Sequence, residues 1–463
     1  MKIANLAGKT VCILGFGREG QAMLSTLENF APGCRITIAD KNEELGIENY
    51  ETQLGDDYLK NLNRFDLVIK SPGIPPLPEL KTHDSRLTTP TQIFFDSIAD
   101  SGATVVGVTG SKGKSTTASL IHTILKTAGK KSVLVGNIGE PAIAHIADAS
   151  PDTTCGERSR TIFVMELSSY QLMDLTVSPS IAVVTAFFPE HLDYHGSTHS
   201  TGSGQASLTT GGALEAYKEA KKHITRFQSK EDTVFFAFDS AGAQEIARES
   251  PGKRIPFSTA DAPIAIEETH LIGAHNLSNI AAAFLVCREL GVSNDVAVSA
   301  IRSFAPLPHR LQSLGVHHNI EWVDDSISTT PQSAIAALDA LGDRVATIIV
   351  GGLDRGYDFD PLAKRLIQSK VQTIILLPES GKRIGEALEK DGVQARILDA
   401  NTMEEAVAFA KKQTPSSTPN PNPNPNPNPN PHPVVLLSPA SPSYGMFKNF
   451  EERGLRFAEA IGH

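Results

Sequence analysis

At 463 residues the chain exceeds what one hydrophobic core organises, so a multidomain protein is expected. Its 42 basic against 52 acidic residues leave a net charge of -10, which excludes a broad nucleic-acid-binding surface while permitting a local basic pocket. The longest apolar runs, such as the one around Val345–Val350, fall short of a membrane span, and the N-terminus enters a strand pattern without a signal-peptide core. A cytoplasmic protein is expected. Cys12, Cys34, Cys155 and Cys287 form no CxxC pair and read as reduced structural thiols.

The β-branched run Thr10–Leu14 leads into Gly15-Phe16-Gly17-Arg18-Glu19-Gly20 and a helical pattern from near Gln21. A second strand, Arg35–Ala39, ends at Asp40, about twenty residues after the last glycine, which is the spacing of a Rossmann-like nucleotide-binding unit. A third strand, Leu67–Lys70, runs into Ser71-Pro72-Gly73-Ile74-Pro75, where Pro and Gly force a loop at the carboxyl end of the sheet. After Ala103, strands are expected at Thr104–Val108, Val133–Val135, Ile162–Glu166 and Ile181–Thr185, and later at Glu321–Val323, Ala346–Val350, Thr373–Leu377 and Val434–Leu437. Helix-length segments separate them.

This alternation predicts an α/β protein of three domains: a Rossmann-like N-terminal domain over residues 1–98, a central P-loop ATPase-like domain over 99–304, and a Rossmann-like C-terminal domain over 305–463. Two low-complexity stretches interrupt the pattern. Residues 197–212 are rich in Ser, Thr and Gly and suit a flexible surface insertion. Residues 415–433 carry a Pro-Asn repeat, which cannot pair in a sheet or sustain a helix and reads as a linker loop.

Gly107-Val-Thr-Gly-Ser-Lys-Gly-Lys-Ser-Thr-Thr117 has the look of a phosphate loop, yet Val108 stands where the first Walker glycine belongs. Gly110, Ser111, Lys112 and Gly113 can present backbone amides to phosphate, Lys114 can reach the β and γ phosphates, and Ser115, followed by Thr116, can ligate Mg²⁺. ATP is the expected ligand. Glu166 follows a strand and suits a hard cation, and Glu190-His191-Leu-Asp-Tyr-His195 follows the next.

Together with Gly136–Gly139 (G-N-I-G), Glu166–Gln171 (E-L-S-S-Y-Q), Gly273–Asn279 (G-A-H-N-L-S-N) and Pro308–Leu311 (P-H-R-L), these segments resemble the Mur ligases, whose variant loop lacks that glycine. Asp324–Ser326, Gly351–Gly356 and Leu436–Gly454 resemble the glutamate-adding branch of that family. The resemblance implies ATP-dependent addition of glutamate to UDP-N-acetylmuramoyl-L-alanine through an acyl phosphate, in cytoplasmic peptidoglycan precursor synthesis; a monomer is expected, and the charge balance speaks against a nucleic-acid partner. D-glutamate is the family default and L-glutamate the alternative in a related subgroup.

By the same resemblance, Lys114, Lys221 and His191 carry catalysis, and Ser115, Glu166, His191 and a carbamylated, CO₂-derived Lys221 hold Mg²⁺ at two sites. Asn276, Asn279, Arg310 and Asp325, with His309 nearby, join the ATP site. Gly15, Phe16, Gly17, Asp40, Ser71 and Gly73 face UDP, which replaces the dinucleotide reading of the glycine motif. Asn137, Ser168 and Gln171 contact muramoyl-alanine, and Thr329, Arg355, Ser443 and Phe450 grip glutamate, arginine by bidentate pairing.

The chain departs from the pattern in three places. Ile327 and Thr330 stand where the D-glutamate branch has lysine and asparagine, and Ala186 where the family often has asparagine. Without the resemblance, Lys218 and Lys222 compete with Lys221, and a folylpolyglutamate synthetase-like ligase or a non-catalytic UDP-sugar-binding protein are the rival readings.

Overall fold

The computed structural model describes residues 1–75, 80, 86–149, 160–187, 210–415 and 432–462. The Pro-Asn repeat, His191, Cys155 and nearly all of the Ser/Thr/Gly stretch lie outside these residues. The described chain forms three sheets, as the strand-helix alternation predicts.

The first sheet is parallel, ordered β3-β2-β1-β4-β5, with β1 Thr10–Leu14, β2 Arg35–Asp40, β3 Glu51–Leu54, β4 Leu67–Lys70 and β5 Leu87–Thr88. Helix Arg18–Phe30 starts at once after Gly17, three residues earlier than the apolar pattern indicates, because its first turn is the polar Arg-Glu-Gly. The second sheet, also parallel, is ordered β11-β10-β9-β6-β8-β7, from β6 Thr104–Thr109, β7 Ser132–Gly136, β8 Ile162–Glu166, β9 Ile181–Val184, β10 Thr233–Ala237 and β11 Lys253–Phe257. β6 is central and buried along nearly its whole length, which is why it reads as a continuous β-branched run. Val108 lies inside it, fully buried and paired with Glu166 and Val183. The missing Walker glycine is thereby explained: at this position the chain is still strand, and valine is the better strand former.

The third sheet is ordered β12-β13-β17-β14-β15-β16, from β12 Gln312–His317, β13 Ile320–Asp324, β14 Val345–Gly352, β15 Thr373–Glu379, β16 Arg396–Asp399 and β17 Val434–Leu437. Only the β12–β13 hairpin in it is antiparallel. Alternate residues feed opposite layers: Val434 and Leu436 pack with Leu338, Leu362 and Ile384, whereas Val435 and Leu437 pack with Trp322, Met403 and Phe457.

The chain divides into two compact units, residues 1–269 with 276–304, and residues 270–275 with 305–463. The six-residue segment joins the second unit, where Ile272 packs on its core. Among the described residues, no helix is long and apolar enough to cross a membrane. Cys12 and Cys287 are buried thiols whose pKa values burial raises, that of Cys12 to about 12.

Candidate active site

β6 ends at Thr109, and the chain turns through Gly110–Gly113 into helix Lys114–Thr127. Gly110 has φ +144° and a Cβ there would run into Thr185 Oγ1, so the tight turn requires glycine. Gly113 has φ +88°, and a Cβ would strike Asn279 Oδ1. The loop is held from several sides. Ser111 N donates to Ala186 O at 2.8 Å, a backbone contact that alanine supplies as well as asparagine. Thr185 Oγ1 lies 2.6 Å from Lys112 O, and Ser111 Oγ lies 3.1 Å from the Tyr217 hydroxyl.

Two lysines converge on one carbonyl. Lys114 Nζ donates to Gly110 O at 2.9 Å and to Ser111 O at 2.7 Å. Lys221 Nζ donates to the same Gly110 O at 2.9 Å and lies 3.3 Å from Thr109 Oγ1, over the Tyr217 ring. The helix Thr210–Arg226 separates Lys221 from its sequence rivals: Lys221 is buried toward the loop, whereas Lys218 and Lys222 pair with Glu215, Glu219 and Glu245. Ser115 is half-buried in the first turn after the loop and Thr116 is buried. Asn279 Nδ2 donates to Asn276 Oδ1 at 2.8 Å, and Thr117 Oγ1 lies 3.3 Å from Asn279 Oδ1, so this asparagine pair packs against the loop.

Glu166 ends β8 opposite Val108 and is 1 % exposed. Its Oε1 accepts from Asn137 Nδ2 at 3.0 Å, while Oε2 is buried with no hydrogen-bond partner among the described residues. A buried carboxylate oxygen is costly without a donor or a cation. Ser168 caps the one-turn helix Ser169–Leu172 in a reciprocal box with Gln171, and Gln171 Nε2 reaches Glu19 Oε1 at 3.0 Å. Burial raises the Glu19 pKa, against the Gln171 bond and Arg18. Arg18 donates to Gly139 O, and Lys70 pairs with Asp174 at 2.7 Å. Three contacts thus tie the start of helix Arg18–Phe30 and the end of β4 to the segments that follow β7 and β8.

In that first loop, Gly15 has φ +89°, Ser71 Oγ donates to Gly15 O at 2.6 Å, and Asp40 Oδ2 accepts from Phe16 N at 2.6 Å. Asp40 braces the loop from within. Gly17 and Gly73 are exposed beside it.

The second unit gathers its own candidates at the carboxyl edge of the third sheet. His309 Nδ1 and Asp324 Oδ2 are 2.7 Å apart, and that bond raises the histidine pKa despite partial burial. Asp325 is buried, with Leu311 N, Ser328 Oγ and Ser438 Oγ on its carboxylate. Burial pushes its pKa up to about 6, opposed by those donors and by Arg310. Ser443 is buried, Thr329 and Phe450 are half-buried, and Arg355 is exposed in the loop after β14. Thr330 caps helix Pro331–Leu341; Ile327 is half-buried and donates its amide to His309 O at 3.2 Å.

Glu19, Thr185 and Arg453 escape the sequence reading. Glu19 and Arg453 lie within quoted motifs and Thr185 ends an expected strand, but no spacing marks these side chains out, and only the folded chain shows what each one touches.

No group of three or more His, Cys, Asp and Glu side chains able to hold a metal occurs among the described residues. The carboxylate that is described still fits a hard divalent cation, since Glu166 Oε2 is buried and unsatisfied at the end of the strand paired with Val108, one residue before the loop strand ends.

Fold and loop define the class: an α/β protein with a P-loop-type turn at the carboxyl edge of its middle sheet. A family model described as Mur ligase middle domain matches residues 108–287, and one described as Mur ligase, glutamate ligase domain matches residues 309–417. A UDP-N-acetylmuramoyl-L-alanine--L-glutamate ligase of Micromonospora sp. is 34% identical over 478 residues, covering 100% of this chain and 98% of the relative. A UDP-N-acetylmuramoylalanine--D-glutamate ligase of Symbiobacterium thermophilum is 32% identical, covering 97% of each. Among solved structures, the MurF ligase of Thermotoga maritima in complex with ADP aligns with TM-score 0.58 at 16% identity, covering 99% of this chain and 96% of that chain, and so shares the fold. The chain belongs to the Mur ligase family.

Proposed function

We propose that the chain is an ATP-dependent ligase that joins glutamate to UDP-N-acetylmuramoyl-L-alanine in cytoplasmic peptidoglycan precursor synthesis. The observation that carries the reading is the convergence of Lys114 and Lys221 on Gly110 O, at the end of the strand that pairs with the buried Glu166. Amines do not displace oxygen from a carboxylate at useful rates. One carboxylate oxygen of the substrate must first take the γ-phosphoryl group of ATP, releasing ADP; the glutamate nitrogen then attacks the acyl carbon, phosphate leaves, and the nitrogen gives up its proton.

In this reading the Gly110–Gly113 amides and the helix start cradle phosphate, and Lys114 exchanges its carbonyl partners for phosphoryl oxygens as charge develops. Glu166, Ser115 and Lys221, with His191 from outside the described residues, would hold Mg²⁺, whose chemistry is neutralisation of phosphoryl charge. The burial of Lys221 beside the loop supports its carbamylation, which turns an ammonium into an anionic oxygen ligand. Asn276 and Asn279 serve the adenine side, His309, Arg310 and Asp325 the rest of the nucleotide, and the Gly15–Gly17 loop with Asp40, Ser71 and Gly73 the UDP. Asn137, Ser168 and Gln171 take muramoyl-alanine, and Thr329, Arg355, Ser443 and Phe450 take glutamate. Domain limits at residues 98 and 304 and a monomeric state belong to the same proposal.

Of the two hands we take L-glutamate. Ile327 removes the cation that the D-glutamate branch places there, and the relative at 34% identity carries L-glutamate in its name. The D-named relative at 32% keeps the other hand in the test. Phosphate release is measured with Mg²⁺, ATP, UDP-N-acetylmuramoyl-L-alanine and either glutamate. Release with L-glutamate above D is expected; release with D alone overturns the handedness, and silence with both overturns the ligase.

A further inference from the structure

Arg453 is fully buried, and a cation in that position needs its donors satisfied by design of the fold. Its Nε donates to Ser326 Oγ at 3.0 Å, Nη2 to Ser326 O at 2.8 Å and Nη1 to Ser441 O at 2.9 Å. A Cβ added at Gly352 would lie 3.1 Å from Nη1, so the guanidinium also packs beneath the Gly351–Gly356 loop. Its neighbour Gly454 approaches so closely that a Cβ there would collide with His309 Nδ1.

Each contact falls on a segment that carries one of the four glutamate candidates. Ser326 begins the turn that leads to Thr329 and donates its hydroxyl to Phe450 O at 2.8 Å. Ser441 is two residues before Ser443 and its Oγ accepts from Ser380 Oγ at 2.7 Å. Gly352 ends β14, directly before the loop that bears Arg355. Phe450 opens the helix Phe450–Ile461 to which Arg453 belongs. A fork of fixed planar donors can hold several carbonyls at once in a way that one ammonium cannot.

Resting on the ligase reading above, we propose that Arg453 is a positioning residue for the glutamate pocket: its single guanidinium sets the mutual spacing of the Thr329, Arg355, Ser443 and Phe450 segments without touching the substrate. The residue decides glutamate affinity and the preference for one hand; because Ser326 adjoins Asp325 and Gly454 abuts His309, the nucleotide candidates of the same unit shift with it to a lesser degree, whereas the UDP-substrate candidates lie in the first unit and are left alone. The depressed pKa of the guanidinium, about 10 through burial, is consistent with a charge kept for its geometry at an electrostatic cost.

The test is steady-state kinetics on the full chain, with KM measured separately for glutamate, ATP and UDP-N-acetylmuramoyl-L-alanine, and with D and L glutamate compared. For Arg453→Lys the glutamate KM is expected to rise about tenfold or more and the ratio between the two hands to narrow, because a displaced pocket wall weakens orientation of the amine. The KM for UDP-N-acetylmuramoyl-L-alanine stays within about twofold, and that for ATP rises by less than that for glutamate. Ser326→Ala removes only the hydroxyl partner; it is expected to raise the glutamate KM by a smaller factor, and it decides the matter if Arg453→Lys does not fold. A combined effect below the product of the two singles supports their acting through one bond. An active wild type whose variants keep glutamate KM unchanged, or raise the KM for UDP-N-acetylmuramoyl-L-alanine as much as that for glutamate, overturns this inference alone. A wild type that forms no amide with either glutamate overturns the ligase reading and this inference with it.

Discussion

Glu166→Gln should move stability and activity in opposite directions. In the folded chain Oε1 is held by Asn137 Nδ2 at 3.0 Å, and Oε2 is buried without a hydrogen-bond partner among the described residues. Glutamine keeps the shape and still accepts from Asn137, although that bond weakens from a charge-assisted one by about 1 kcal/mol. Removing an unpaired buried charge returns several kcal/mol, of which an unsatisfied amide NH₂ takes back about 1–3 kcal/mol. The metal-free variant is therefore expected to be more stable by about 1 kcal/mol, a rise of about 1–2 °C in the midpoint of a unit of this size. Turnover should fall by about 10²–10³, or about 3–4 kcal/mol, the scale for deleting one preorganised electrostatic partner of a developing charge. Thermal melts with and without Mg²⁺ and ADP, run beside phosphate-release assays, check both. Wild type gains midpoint from the metal nucleotide by mass action and the variant gains little. A variant with near-wild-type turnover and an undiminished Mg²⁺-dependent shift refutes the assignment of Glu166.

Gly110→Ala forces a left-handed φ of +144° on alanine and drives its Cβ into Thr185 Oγ1; backbone strain plus one lost hydrogen bond cost about 2–4 kcal/mol, visible as a lower urea midpoint, and an unchanged midpoint contradicts the loop geometry. Asp325 has its pKa raised to about 6 by burial, above an unfolded value of about 3.9. The native state then binds the extra proton between these values, so this residue's contribution is present below about pH 4 and is lost as pH rises through about 6, on the order of 2–3 kcal/mol. Asp325→Asn should flatten that part of the stability profile against wild type. With ¹³C-labelled bicarbonate, a carbamate carbon signal is expected from wild type and not from Lys221→Ala; equal signals in both would place the modification elsewhere.

Much of the architecture is legible from hydropathy because β1, β6, β8 and β17 are buried on both faces and read as unbroken apolar runs. The strands that sequence reasoning passes over, β3, β5, β11, β12 and β16, sit at sheet edges. There half the residues face water, and Lys253-Arg-Ile-Pro-Phe257 even includes proline, which an edge tolerates. β10 is different: Thr-Val-Phe-Phe-Ala is a clear strand pattern, and its place beside β9 was available to the same reasoning. At the site, Lys114 and Glu166 are legible because loop and strand end announce them. Lys221 is not, since helical spacing alone cannot tell it from Lys218 and Lys222; the choice is made by which face of Thr210–Arg226 turns to the loop. Arg453 is invisible for the opposite reason, being an ordinary surface residue type that the fold encloses.

The six residues 270–275 have a consequence for how this protein can be taken apart. They belong to the compact unit that otherwise begins at Ala305, while the helix that follows them returns to the first. A fragment cut at residue 305 would leave behind Ile272, which packs on the Leu338, Leu362 and Ile384 core, and would uncover the part of that core it shields. The chain is interlaced, not strung like beads, so neither half is a free-standing part to be exchanged between relatives by a single crossover. Swaps meant to transfer amino-acid preference must carry the short segment with them.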